Sequence, residues 1–391
     1  MDRTETDGRI REYMEEFALR TGLDPPVSPP RRYLWTDAFA VCNYLDLFRK
    51  TANGTFREMA LRLVDQVHHI LGRYRDDDRR TGWISGLSPQ DGEQHPTAGG
   101  LRIGKSLPER GIHEPYDERR EWDRDGQYYH YLTKWIHALC SVSRVTGDPI
   151  YLGWGIELAH TAHVRFTYLP PTGSRKRMFW KMSTDLTRPL VPSMGQHDPL
   201  DGLVTYLELQ VAAAGNAGQS GQPVLAEEMG EMIDICRGLD LATDDPLGIG
   251  GLLFDSSRLF RIAAQGGPVY PDLLESVLDA ALEGLDVFTR GGSLRLPARY
   301  CLAFREFGLS TGLAGVEQLP ALIGDHPRIF ERVGPLLRRV HALREFVPLR
   351  ETIEQFWLEG KNQEAITWTD HREINMVMLA TSLAPDGFLG V

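Results

Sequence analysis

Trp122-Asp-Arg-Asp-Gly-Gln-Tyr-Tyr-His-Tyr-Leu-Thr-Lys-Trp135-Ile-His-Ala-Leu-Cys-Ser-Val142 is the stretch on which the reading of the fold turns. Tyr128, Leu132, Trp135, Leu139 and Val142 step by four and three, and Tyr129, Ile136 and Cys140 widen the stripe. That pattern predicts a helix buried around most of its circumference. Gly126 and the acids before it predict a start near Asp125, with Asp123 and Asp125 placed to cap the free N–H groups. His130, Lys134 and His137 form a polar stripe on the same helix, for which a hydrogen-bonded structural role is expected.

Outward from this helix the chain alternates between two kinds. Residues 35–50 are apolar all round (Trp35, Phe39, Val41, Cys42, Tyr44, Leu45, Phe48), whereas 55–74 carry a one-sided stripe of Phe56, Met59, Leu63, Val67 and Ile70. The first kind belongs inside and the second outside. The same alternation pairs the Asp125 helix with 150–166, the helix from Pro199 with 222–238, 255–265 with 270–289, and 298–314 with a stretch over 328–358 broken near Pro335 and Pro348. The last helix, His371 to Leu383, is left to pair with the N-terminal helix over 8–20.

Turns inside each pair are mostly short and rich in glycine or proline: Asn53-Gly54, Gly147-Asp-Pro149, Gly266-Gly-Pro268. Connections between pairs are long: 75–122, 167–197, 240–254 and 359–370. Antiparallel pairing puts all connections of one kind at the same end, so the long loops and the starts of the inner helices are expected on one face. The predicted fold class is all-α, a single domain over 1–391, with 1–32 as an N-terminal helix and Pro-rich connection and a short β-hairpin around Met178–Thr184.

The formal charge of −11 leaves no basic face, which argues against a nucleic-acid partner. No apolar run approaches a membrane span and the N-terminal residues lack a signal pattern, so a cytoplasmic protein with no membrane partner is expected. Cys42, Cys140, Cys236 and Cys301 lie far apart in apolar surroundings and read as buried free thiols.

About six helical hairpins with elaborated loops at one end resemble the (α/α)6 toroid of glycoside hydrolases, unsaturated-glucuronyl hydrolases and sugar 2-epimerases. Trp35-Thr-Asp37-Ala-Phe39 is similar to the acidic-aromatic opening of an inner helix in unsaturated-glucuronyl hydrolases. The resemblance implies an oligosaccharide or small-molecule sugar substrate bound at the mouth of the toroid.

The predicted loop face gathers Trp35 and Asp37, Trp122 and Asp125, His197 and Asp201, Asp255, and Trp368 with Asp370, His371 and Glu373. Glycoside hydrolysis needs two carboxyl groups in acid and base roles, and Asp125 with Asp201 is the favoured pair, Asp37 and Glu373 standing in reserve. Each acid has the alternative of being an N-cap. The rival reading is a sugar 2-epimerase using His197, His130 and His371 as proton-transfer groups. A third is a non-catalytic helical scaffold.

Trp83, Glu93, His95, Arg102 and Trp122 on the first long loop, Trp180 on the second, and Tyr129 are the expected substrate-binding residues. Arg175, Lys176, Arg177 and Lys181 surround Trp180 with a basic patch suited to an acidic sugar or a neighbouring subunit of a homo-oligomer. Neither a metal nor a cofactor is expected. His197-Asp198-x-x-Asp201 has compact ligand spacing but no second partner motif, and resembles the aspartate-rich motif of terpene synthases only with its first acid replaced.

Overall fold

The computed structural model describes residues 3–215, 224–330 and 333–390. The chain is all-α, with only short antiparallel strands among the described residues. Contacts group it into two compact units, Ala18–Gly238 and the residues up to Phe17 together with those from Leu239 onward. No described helix is long and apolar enough to cross a membrane.

In the Ala18–Gly238 unit the inner helices are Leu34–Thr51, Tyr129–Thr146 and Asp198–Gly215, and the outer ones Gly54–Leu71, Pro149–Phe166 and Ala226–Cys236. Fourteen residues of the Leu34 helix are buried, from Leu34 through Leu47 without a break. The Gly54 helix buries one stripe. Asn53 and Asp148 cap the outer helices by accepting from Thr55 and Ile150 N–H, which explains the tight Asn-Gly and Asp-Pro turns.

The inner helices run parallel, as side-chain pairing shows. His130, Lys134 and His137 meet Asp198, Asp201 and Glu208 in ascending order, at 3.5, 2.7 and 2.8 Å. Tyr33 and Tyr131 share a 2.6 Å hydroxyl bond at the starts of their helices. The long connections across 72–128 and 167–197 therefore lie at the end where these helices begin.

The Tyr129 helix starts later than its sequence suggests. Gln127 and Tyr128 pair as a strand with Met182 and Lys181, which pair onward with Pro189–Val191. Gly126 makes this possible: its φ is 138° and a Cβ there would lie 2.6 Å from the Met182 carbonyl oxygen. Asp125 is consequently no cap, and Asp123 ends the short helix Glu118–Asp123, capped by Asp117. The hairpin expected around 178–184 is thus two pairings: Lys181–Met182 joins this sheet, and Arg177–Met178 pairs with Thr167–Tyr168.

The second unit repeats the scheme with Pro246–Ala264, Ala303–Asp325 and Arg372–Leu383 inside. Outside lie Pro271–Arg290, then Val333–Arg344 and Leu349–Leu358; the break expected near Pro348 is present, whereas Pro335 lies within the first turn of Val333–Arg344 and does not break it. The N-terminal helix, Arg3–Thr21, meets the last inner helix through Glu16 and Arg372 at 2.8 Å. The loop expected over 240–254 is largely helix, because Asp245 caps a helix beginning at Pro246. Asp255 is therefore buried in mid-helix, 3.2 Å from Arg258, and not at a helix start.

Glycine brings these inner helices together. A Cβ on Gly250 would sit 2.2 Å from the Gly308 carbonyl oxygen, and one on Gly312 would sit 2.6 Å from that of Gly250. Gly250→Ala is expected to destabilise by about 1–3 kcal/mol through overpacking. Gly251→Ala, which meets only Phe254 at 4.0 Å, should be neutral or gain up to about 1 kcal/mol of helix propensity. Denaturant unfolding of the two variants measures the difference; equal stability would remove the close-packing account.

Candidate functional site

The loop end of the Ala18–Gly238 unit carries a run of aromatic rings. Tyr128 lies 5.1 Å from Trp180, and Trp180 lies 5.3 Å from Trp122. His130 stacks against Tyr128 at 5.3 Å and lies parallel to Trp180 at 6.3 Å. Tyr131 meets His130 edge-on at 5.0 Å, with Tyr33 and Trp35 beyond it. The sheet holds Tyr128 beside Lys181, so Trp180 arrives opposite the helix start. Trp122 is 47% exposed, and His130 and Trp180 are half-buried, which leaves these rings open to a ligand.

Behind His130 stands Asp198. Its Oδ1 is 3.5 Å from His130 Nδ1, an ion-pair separation longer than a formed hydrogen bond, and its buried Oδ2 has no hydrogen-bond partner. Asp201, one turn on, is engaged by Lys134 Nζ at 2.7 Å and by the Thr133 hydroxyl.

Several expected site residues hold the loops in place. Asp125 is fully buried and accepts from Arg102 Nη1 at 2.5 Å, Gly104 N–H at 3.0 Å and Lys105 N–H at 3.4 Å. Arg102 also donates to the carbonyls of Arg73 and Ile70. Asp37 accepts from Tyr33 N–H at 2.8 Å and from Arg32, and burial pushes its carboxyl up to about 6 against the pull of Arg32.

Trp83 is 3% exposed beneath the Arg73 guanidinium. Glu93 bonds His69 and Arg73 on the loop's outer side, and His95 bonds Glu157 of the Pro149 helix. Glu93 and His95 thus pin the first loop to two outer helices, and the Arg73 contacts tie it to its own start. Tyr129 is buried with its hydroxyl 2.8 Å from that of Tyr206. Trp35 is 5% exposed and lies under Tyr131. His197 is half-buried at the start of the Asp198 helix, its carbonyl accepting from Asp201 N–H.

The basic patch is largely neutralised: Lys176 meets Glu231 at 2.5 Å, and buried Lys181 meets Glu121 at 3.0 Å. No group of three or more His, Cys, Asp or Glu suited to a metal occurs among the described residues. All four cysteines are free and buried.

Trp368, Asp370, His371 and Glu373 belong to the other unit. Trp368 is buried and stacks on Trp357, Asp370 is exposed, Glu373 is half-buried, and His371 is exposed with its edge on Phe304 at 5.7 Å. Sequence reading missed Glu306 there: buried, raised by desolvation, and accepting from Trp357 Nε1 at 2.6 Å. It also missed Asp198 as the partner of His130. The signal available was the match between two stripes, His130/Lys134/His137 and Asp198/Asp201/Glu208.

No protein-family model matches the chain, and no curated protein matches it significantly. Among solved structures it is similar to a cellobiose 2-epimerase from Spirochaeta thermophila DSM 6192, with a TM-score of 0.47 and 15% identity over 87% of this chain and 85% of that one. It is also similar to a sugar epimerase from a ruminal bacterium, with a TM-score of 0.44 and 10% identity over 88% and 86%.

Two predictions follow from the engaged carboxylates. Asp125→Asn should destabilise by about 3–5 kcal/mol, because it leaves the buried Arg102 guanidinium uncompensated; a loss under 1 kcal/mol in denaturant unfolding would refute this. Asp37 binds its proton more tightly folded than unfolded, so its contribution to stability falls as pH rises from about 4 through about 6. The stability difference between Asp37→Asn and wild type should therefore shift toward the variant across that window, and a pH-independent difference would count against it.

Proposed function

We propose that this chain is a carbohydrate-active enzyme that isomerises or 2-epimerises a reducing sugar, with His130 transferring the proton. The observation that carries the reading is His130 itself: a half-buried imidazole beside the rings of Tyr128 and Trp180, with a buried carboxylate behind Nδ1. Asp198 is a positioning residue, favouring the tautomer with hydrogen on Nδ1 and leaving Nε2 as base.

The chemistry needs no other reactant. Nε2 takes the hydrogen of the carbon next to the open-chain carbonyl, the C–H electron pair becomes the C=C bond of an enediolate, and the carbonyl oxygen gains the charge. A turn about the C2–C3 bond presents the opposite face of that carbon to the same imidazolium, and return of the proton there gives the epimer. Return to the former carbonyl carbon, with the neighbouring hydroxyl proton passing to the charged oxygen, gives the ketose. The aromatic rings suit the apolar face of a sugar.

The hydrolase reading finds less support, since both favoured carboxylates are engaged: Asp125 by Arg102 and backbone N–H groups, Asp201 by Lys134 and Thr133. A general acid or base needs an oxygen within reach of the glycosidic bond or its water.

Incubating the protein with aldoses in deuterium oxide tests the proposal, with exchange at C2 followed by proton NMR. His130→Gln should lower exchange by about 10²–10⁴-fold. Asp198→Asn should lower it less and shift its pH profile, which a purely structural role would leave in place. Exchange undiminished in His130→Gln, or new reducing ends released from an oligosaccharide with no exchange, would sink the reading.

A further inference from the structure

Resting on that reading, we propose that the cleft takes a sugar carrying an anionic group, a carboxylate or a phosphate, and that Lys105 recognises it. Four other cations around the loop end are committed to partners. Arg102 holds Asp125 and two carbonyls, Arg75 holds Asp77 and the carbonyls of Lys105 and Ser106, Lys134 holds Asp201, and Lys181 holds Glu121. The ammonium of Lys105 has no acid and no hydrogen-bond acceptor among the described residues.

Its location is specified by the loop. The Lys105 N–H donates to Asp125 at 3.4 Å and its carbonyl accepts from Arg75 Nη1 at 2.6 Å, so the backbone is held from both sides while the half-buried side chain extends from a fixed point. Nζ comes to 5.3 Å from the ring centroid of Tyr33. Tyr33 in turn bonds Tyr131, whose ring packs on His130. A cation and two hydroxyl groups thus lie at the Tyr33 end of the aromatic run.

The hydroxyl pair adds a directional element. Its oxygens are held 2.6 Å apart, which fixes the Tyr33 ring beside the ammonium. An ammonium with no acid beside it is suited to an anionic oxygen, because charge-assisted bonds are stronger than neutral ones. In a chain of formal charge −11, a cation left without an acid next to an open cleft gives an anionic ligand a site that neutral sugars do not use.

Quenching of tryptophan fluorescence, with Trp122 and Trp180 as reporters, measures binding of glucuronate, glucose 6-phosphate and glucose to wild type, Lys105→Met and Lys105→Arg. Wild type should bind one of the two anions at least about tenfold more tightly than glucose, and less so as salt rises. The preference should vanish in Lys105→Met and persist in Lys105→Arg, and the better anion identifies carboxylate or phosphate. Equal binding of glucose and both anions, a preference retained in Lys105→Met, or no binding of either anion would overturn the proposal. Anion preference without C2 exchange in deuterium oxide would sink the proton-transfer reading and leave this one standing.

Discussion

The seam between the Tyr129 and Asp198 helices is the constraint on which the rest of the loop end depends. One inner helix carries His130, Lys134 and His137 against Asp198, Asp201 and Glu208 of the other, with Arg144 also reaching Glu208 at 3.3 Å. Inside a protein an unmatched charge is expensive, whereas a matched one roughly breaks even against an apolar pair. The seam therefore adds little net stability and much specificity: a slip of one turn would leave Lys134 and Glu208 without their partners. The two lower rungs, Lys134 with Asp201 and His137 with Glu208, are closed and buried. The top rung is not, and its histidine is half-buried where the ladder meets the aromatic cleft.

An open top rung is useful only if the surrounding loops hold still. Asp125 and Arg102 do this for the first long loop, joining residues 20 apart and more through one buried carboxylate that accepts from a guanidinium and two backbone N–H groups. The short sheet does it for the second, bringing Trp180 against Tyr128. Glu93 and His95 fasten the first loop to two outer helices. Acids and aromatics at helix starts thus divide into those that fix the loops and those that face the opening, and only the latter are suited to a ligand.

That division is what sequence could not convey. Helix type was legible, because burial all round and burial on one side leave different patterns over four or five turns, and the break at Pro348 follows from proline's missing N–H; Pro335 makes no break, because it falls in a first turn, where that N–H has no partner to lose. The start at Pro246 was hidden because Gly248, Gly250 and Gly251 look like loop residues, although Gly250 is where the neighbouring helix comes closest. Asp125 and Asp201 looked catalytic because their partners, Arg102 and Lys134, lie 23 and 67 residues away. His130 looked structural because it shares a polar stripe with Lys134 and His137 on its helix.

The two units reach the same parallel packing of inner helices by different means. Parallel neighbours set like ends of their dipoles side by side, which is unfavourable unless something else holds them. In the Ala18–Gly238 unit charge does so, with Asp198 and Asp201 in the first turn where carboxylates suit the positive end of the helix. In the other unit small residues do so: Gly250, Gly308 and Gly312 let backbones approach until dispersion between closely packed atoms does the work. A charged seam can leave a rung open and reactive, whereas a glycine seam has no side chain to offer. The imidazole and carboxylate that the proposed proton transfer uses belong to the first arrangement, and the second is suited to rigidity.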